Sequence, residues 1–209
     1  MNLHEYQHEE SGFFNKFKSC FVKTCLKCIS NQPSLVLDLD NTLIHTTRVS
    51  TKRESFSFFA DKKRFYVHCR PGLKDFLKQM SECYEIFFFT ASKREYGEKI
   101  IQEIAPFVST QNCFFHDSCV QTAGYSVKDL RRIDRPLNRC ILVDDIKGCG
   151  LFQPQNVVCV QPWNGESSDK VLPTELGPLL LSCAKEGDIL SAIRELVLMR
   201  PFSHIDLSY

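Results

Sequence analysis

From Pro33 onward, short apolar runs alternate with segments whose apolar residues recur at the helical period. Leu35 to Leu39 reads as a buried strand, and SFSFF (Ser55 to Phe59) and RFYVHC (Arg64 to Cys69) as two extended pieces joined by a turn-like Ala-Asp-Lys-Lys. Pro71-Gly72 opens a predicted helix over LKDFLKQMSEC, where the fixed φ of proline suits the first turn. YEIFFFT follows as a strand buried on both faces, KREYGEKIIQEIA as an amphipathic helix, and CILVDD (Cys140 to Asp145) as a buried strand that ends in acids. VVCVQ predicts another strand, and helices are predicted near Pro173 to Ala184 and from Asp188 to Met199. Buried strands separated by helices predict an α/β fold, a doubly wound parallel sheet with helices on both faces, over residues 31–209.

Residues 1–30 have a different character. At the helical period, Phe13, Phe14, Phe17, Cys20, Phe21, Cys25 and Cys28 share one face, with Lys16, Lys23 and Lys27 to one side. This basic amphipathic segment is expected to pack on the domain; the alternative reading is peripheral membrane contact through residues 13–29.

Composition narrows the classes. A chain of 209 residues with 43% hydrophobic residues can bury a sizeable core, and a net charge of +1 argues against direct nucleic-acid binding. No stretch reaches the roughly 20 apolar residues of a membrane span. The start, MNLHEYQHEE, is polar and acidic, unlike a secretory signal. The 11 cysteines are odd in number, and Cys69, Cys83, Cys140 and Cys159 sit among apolar neighbours, which predicts reduced thiols in an intracellular protein of nucleus or cytoplasm. Cys25 and Cys28 form a CxxC, but no second Cys/His pair follows at zinc-like spacing.

The candidate chemistry lies at strand ends. Three predicted strands finish in polar groups: Asp38 and Asp40, Thr90 and Ser92, Asp144 and Asp145. In parallel α/β sheets ligands bind at the carboxyl ends of strands. Asp38 and Asp40, two residues apart in an extended segment, face the same side. Clustered carboxylates repel unless a cation neutralises them or one holds a proton, and oxygen ligands without a His/Cys set favour a hard ion such as Mg2+. With a threonine hydroxyl and a lysine added, such a pocket suits a phosphoryl group.

These residues also carry a resemblance. Asp38-Leu-Asp40-Asn-Thr42 resembles the DxDx[TV] motif of the haloacid-dehalogenase (HAD) superfamily, and DLDNTLIHT resembles its FCP/SCP branch, the small C-terminal-domain or NLI-interacting-factor-like phosphatases. Arg70-Pro71-Gly72-Leu73, Phe89-Thr90-Ala91-Ser92, Val127-Lys128-Asp129-Leu130 and Ile141-Leu-Val-Asp144-Asp145 follow in the order of that family. The resemblance implies a HAD-like fold with a small β-rich insert between the Thr90 and Lys128 motifs, and a monomer. It implies a Mg2+-dependent protein serine/threonine phosphatase that forms an aspartyl-phosphate, with the tail of RNA polymerase II as the family's substrate. Asp38 would be the nucleophile and Asp40 the general acid and base. Thr90 and Lys128 would bind the phosphate, and Mg2+ would be held by Asp38, the backbone carbonyl of Asp40, and Asp145, with Asp144 outside the ion or against Lys128. Tyr96 and His116 match positions in the family's substrate groove. The family usually has Asp-Asn where this chain has Asp144-Asp145, and a more basic residue at position 116. Thr42, His45 and Arg70 read as structural. The rival reading is a phosphatase-like binding module with little or no turnover; a receiver domain fits poorly, because its early acids are adjacent and not spaced as DxD.

Overall fold

Ser34 to Leu37 is buried at every position, which places this strand in the middle of a sheet with a covered layer on each side. The computed structural model describes residues 32–199 and 202–207, so the expected amphipathic segment over 13–29 and its cysteines lie outside the described residues. In chain order the elements are β1 (Ser34–Leu37), β2 (Ile44–Thr47), β3 (Phe56–Ala60), β4 (Lys63–Cys69), α1 (Leu73–Cys83), β5 (Glu85–Phe89), α2 (Arg94–Ile104), β6 (Cys113–Phe114), β7 (Val120–Gln121), β8 (Ser126–Val127), β9 (Cys140–Asp144), β10 (Val157–Val160), α3 (Gly177–Cys183), α4 (Ile189–Met199) and β11 (Ile205–Leu207). The main sheet has the order β11-β10-β9-β1-β5-β6. It is parallel except for the edge strand β11, which pairs antiparallel with β10. Strand order switches direction around β1, so the carboxyl ends of β1, β5 and β9 lie side by side on one edge.

Alternation along the strands divides the interior into two layers. Leu35 and Leu37 of β1, Ile86 and Phe88 of β5 and Ile141 and Val143 of β9 join the larger core with residues of all four α-helices. Val36, Phe87, Phe89, Cys140 and Leu142 face the other way and pack on Leu130 and Ile133. Among the described residues that second face is covered by short 3-10 turns, Leu130–Ile133, Leu137–Arg139 and Pro154–Asn156. Asp134 in the left-handed region and Pro136 two residues later prevent the link into β9 from continuing as a helix.

A second, three-stranded antiparallel sheet, β2-β4-β3, is inserted between β1 and α1. Its β3-β4 turn has Asp61 and Lys62 both at positive φ, the conformation that matches the twist of a two-residue hairpin. The segment between the Thr90 and Lys128 motifs holds less strand: β6 extends the main sheet, and β7 and β8 form a hairpin of two residues each. Two strands have no clear signal in the sequence pattern. β2 is half-buried over IHTT, and β11 is a three-residue edge strand. The helix expected from Pro173 begins as a π-helical turn over Val171–Leu176 before α3 continues it.

Arg70, 2% exposed, joins distant segments. Its guanidinium donates to the Thr42 carbonyl at 2.9 Å, to both carboxylate oxygens of Asp169 at 3.0 and 2.9 Å, and to the Gln161 carbonyl at 3.3 Å. It thereby clamps the turn after β1 to the chain that leaves β10. Removing Asp169 strands a buried guanidinium, so Asp169→Ala is expected to lower unfolding free energy by about 3–5 kcal/mol in urea denaturation.

Candidate active site

The turn that follows β1 determines where the first two acids sit. The Asp38 N–H donates to the Val143 carbonyl at 3.0 Å, which carries the parallel pairing with β9 one residue past the strand. Leu39 is fully buried, and the N–H groups of Leu43 and Ile44 donate to its carbonyl at 2.9 and 3.0 Å. Asn41 takes φ of 59°, a left-handed value that asparagine tolerates better than most residues, and its N–H donates to the Ile44 carbonyl at 2.7 Å. Asp38 and Asp40 therefore stand at the carboxyl edge of the sheet, on a turn that Arg70 holds from behind through Thr42.

Lys128 is the centre of the cluster. It follows β8 and is 1% exposed, and its ammonium donates to Asp38 Oδ1 and to Asp144 Oδ2, each at 2.5 Å. Burial works against the charge on Lys128, but Asp144 and Asp38 outweigh it and hold the ammonium protonated. Burial lifts the Asp38 carboxyl above the usual carboxylate range, with Lys128 pulling the other way. Asp144 uses both oxygens, since Oδ1 also accepts from the Ile146 N–H at 2.8 Å. Asp145 is less committed: Thr42 Oγ1 donates to it at 3.4 Å, and burial followed by the charge of Asp144 raises its carboxyl.

Asp40 is held differently. Tyr96 OH donates to its Oδ1 at 2.5 Å, Thr46 Oγ1 to the same oxygen at 3.4 Å, and Ser92 Oγ to its Oδ2 at 2.8 Å. Burial, then the charge of Asp40, raises the Tyr96 phenol well above its ordinary range, so it stays a donor. The Tyr96 ring also packs on Phe58 and Phe65, with centroids at 5.6 and 4.9 Å. Tyr96, expected in the substrate groove, combines packing on the small sheet with a direct bond to Asp40. Thr46 was missed in the sequence, because β2 itself carried no clear signal there.

Thr90, 1% exposed, directly follows β5, and its N–H donates to the Phe114 carbonyl at 3.0 Å. Its hydroxyl oxygen accepts from the Ser92 N–H at 3.1 Å, which leaves the hydroxyl hydrogen to donate. His116 stands exposed after β6; its N–H donates to the Ser92 carbonyl at 3.0 Å, and its ring lies 3.5 Å from the Gln121 amide. His45 lies 3.3 Å from the Asn41 side chain and edge-on to Trp163, in keeping with a structural reading.

The donor set fits a hard divalent cation. Asp38, Asp144 and Asp145 each offer a carboxylate oxygen, all within 4.8 Å of one another. These three carboxylates surround the ammonium of Lys128, an excess of negative charge that a divalent ion would offset. The Asp40 carboxylate is turned toward Tyr96 and Ser92 and is not in that group of three.

Residues 33–190 match the family profile of the NLI interacting factor-like phosphatases. The chain belongs to that family. It is 31% identical over 166 residues to the human CTD small phosphatase-like protein, covering 78% of this chain and 60% of that one. It is 32% identical over 166 residues to CTD small phosphatase-like protein 2 of Dictyostelium discoideum, covering 78% of this chain and 29% of that one. The chain therefore spans between about a third and three fifths of the length of these two relatives. In fold it is similar to Fcp1, an essential RNA polymerase II CTD phosphatase, with a TM-score of 0.57, 22% identity, and coverage of 88% of this chain and 55% of that one. No helix among the described residues is long and apolar enough to cross a membrane.

Within this HAD-like phosphatase fold, Lys128 screens two buried carboxylates from each other. Lys128→Met is expected to cost about 3–5 kcal/mol in urea unfolding. Adding Asp144→Asn to that variant should recover part of the loss.

Proposed function

We propose that this chain is a Mg2+-dependent protein serine/threonine phosphatase that works through an aspartyl-phosphate on Asp38. The observation that carries the reading is the pairing of two differently held acids: Asp38 buried against Lys128, and Asp40 held two residues away by Tyr96, Ser92 and Thr46. Burial favours the proton on Asp38, but Lys128 opposes this and a divalent cation bound beside Asp38 would oppose it further, which keeps Asp38 the nucleophile and leaves Asp40 to carry the proton.

In the proposed reaction an Asp38 oxygen attacks phosphorus as the bond to the serine or threonine oxygen breaks. Asp40 gives its proton to that departing oxygen. Asp40 then takes a proton from the water that attacks the phosphorus of the aspartyl-phosphate, and inorganic phosphate and free Asp38 result. Thr90 and Lys128 supply a hydroxyl donor and a fixed positive charge where phosphoryl charge develops. Asp38, Asp145 and the backbone carbonyl of Asp40 are the proposed metal donors, since both oxygens of Asp144 already accept hydrogen bonds. Mg2+ bound there would neutralise phosphoryl oxygens and lower the repulsion against an approaching carboxylate. Tyr96, Ser92 and Thr46 orient Asp40 away from Lys128 and its carboxylates.

Substrate class follows from access. The cover between α2 and β8 is small, which supports a phosphoresidue on a flexible peptide over a free metabolite. The names of the CTD phosphatase relatives make the RNA polymerase II tail the first peptide to try.

Hydrolysis of p-nitrophenyl phosphate and of phosphoserine peptides is expected to require Mg2+ and to stop with EDTA. Asp38→Asn should abolish it; persistence of turnover in that variant sinks the assigned nucleophile. A well-folded protein that binds phosphopeptide without turnover would favour the binding-module reading. Tyr96→Phe is expected to lower kcat by roughly tenfold, the effect of losing one good hydrogen bond, with KM and thermal stability little changed.

A further inference from the structure

Strand β2 has two faces, and the site above uses one of them. Thr46 points to Asp40 and Tyr96, so its neighbours His45 and Thr47 point the other way. On that outer face His45 lies directly across from His68 of β4 in the antiparallel register. Such partners share a face, with Cβ atoms about 5 Å apart. A cavity of about 340 Å³ opens beside this pair, between the small sheet and the loop from Trp163 to Ser167 that follows β10.

Its wall is rich in donors. His45, His68, Arg53, Thr47, Thr51 and Ser55 come from the sheet side, and no carboxylate lines the cavity among the described residues. Acids in the adjoining segments have other partners. Glu54 accepts from Ser50 Oγ at 2.7 Å and from Thr51 Oγ1 at 3.5 Å, Glu166 accepts from the Asn164 N–H, and Asp169 is held by Arg70. Glu54 also acts on His68, whose Nε2 lies 3.3 Å from Thr51 Oγ1, so Arg53, His45 and the Thr47 and Ser55 hydroxyls are the donors left to meet a phosphate. A metal reading is weaker, because among the described residues the grouped His/Cys/Asp/Glu ligand atoms are those of Asp38, Asp144 and Asp145.

The cavity also adjoins the catalytic edge. His45 contacts the side chain of Asn41, the residue after Asp40, at 3.3 Å. Two phosphates on opposite faces of β2 would be separated by about the thickness of one sheet, on the order of 10 Å. A peptide joining them must pass around β2, an edge strand, so at least about three extended residues are needed.

We propose that this cavity is a second phosphate subsite, which holds one phosphoserine or phosphothreonine of a substrate peptide while a nearby one is hydrolysed at Asp38. The proposal rests on the phosphatase reading and narrows its substrate to multiply phosphorylated segments. Sharing β2 with the catalytic edge favours a peptide over a lipid surface as the source of the phosphate.

The test uses the full chain with serine peptides that carry one phosphate or two, the second placed three to seven residues away on either side. At one spacing KM should fall by roughly five- to tenfold, with kcat unchanged. Arg53→Glu should erase that advantage, whereas Lys74→Ala, on the exposed side of α1, should keep it. Equal KM at every spacing, or an advantage that survives Arg53→Glu, overturns the subsite. NMR titration of the His45 and His68 ring signals with the doubly phosphorylated peptide gives a readout that needs no turnover. Ring shifts that vanish in Arg53→Glu in a protein without phosphatase activity would uphold the subsite and refute the phosphatase reading. Arg53-dependent binding to phosphoinositide vesicles, with no peptide binding, would overturn the peptide assignment in favour of a membrane headgroup.

Discussion

A lysine ammonium buried between two aspartates is the interaction on which the rest of this structure depends. Lys128 reaches Asp38 of the β1 end and Asp144 of the β9 end from a third segment, and burial of such charges is tolerable because each one meets its counterpart at hydrogen-bond distance. That requirement fixes more than three side chains. The Lys128 N–H donates to the Cys149 carbonyl at 2.8 Å, and Gln153 fastens the residues after it by accepting from the Leu130 N–H and donating to Asp129. Val127 and Leu130, on either side of the motif, are fully buried. The hairpin β7-β8 and the 3-10 turns on the second face thus bring one ammonium to the centre of the sheet edge.

Around that centre the four acids are held by different partners. Asp38 and Asp144 share Lys128, Asp145 leans on Thr42, and Asp40 is drawn aside by Tyr96, Ser92 and Thr46. The small sheet β2-β4-β3 has two uses here. Its inner face supplies Thr46 and the aromatic packing that steadies Tyr96, and its outer face carries the paired histidines. Period-two alternation lets adjacent residues of one strand serve both sides.

Much of the site was legible in the sequence because its parts lie at strand ends. Asp38, Asp40, Thr90, Lys128, Asp144 and Asp145 were named as candidates from apolar runs that end in polar groups and from the order of motifs. Helices α1 and α2 were legible because their apolar spacing is regular over eleven residues each. Less was legible where the signal is short or set by partners. Thr46 lies in a four-residue strand whose polar side chains say nothing about pairing, and the bond between Tyr96 and Asp40 joins residues 56 positions apart. His116 shows exposure and a backbone tie to Ser92, with its ring against Gln121.

The sequence by itself determined the parallel α/β architecture and the set of polar groups at strand ends, because burial on both faces demands apolar runs and chemistry must begin where those runs stop. Tertiary structure decided which acid meets which partner. The settling of Asp144 against Lys128, the capture of Asp40 by Tyr96, and the clamp of Arg70 on Asp169, 99 residues away, depend on the register of distant strands and on how α2 and the loops pack against them. Local spacing along a chain carries no record of that register. It is settled by how the layers pack, and by the cost of leaving a buried charge without its counterpart.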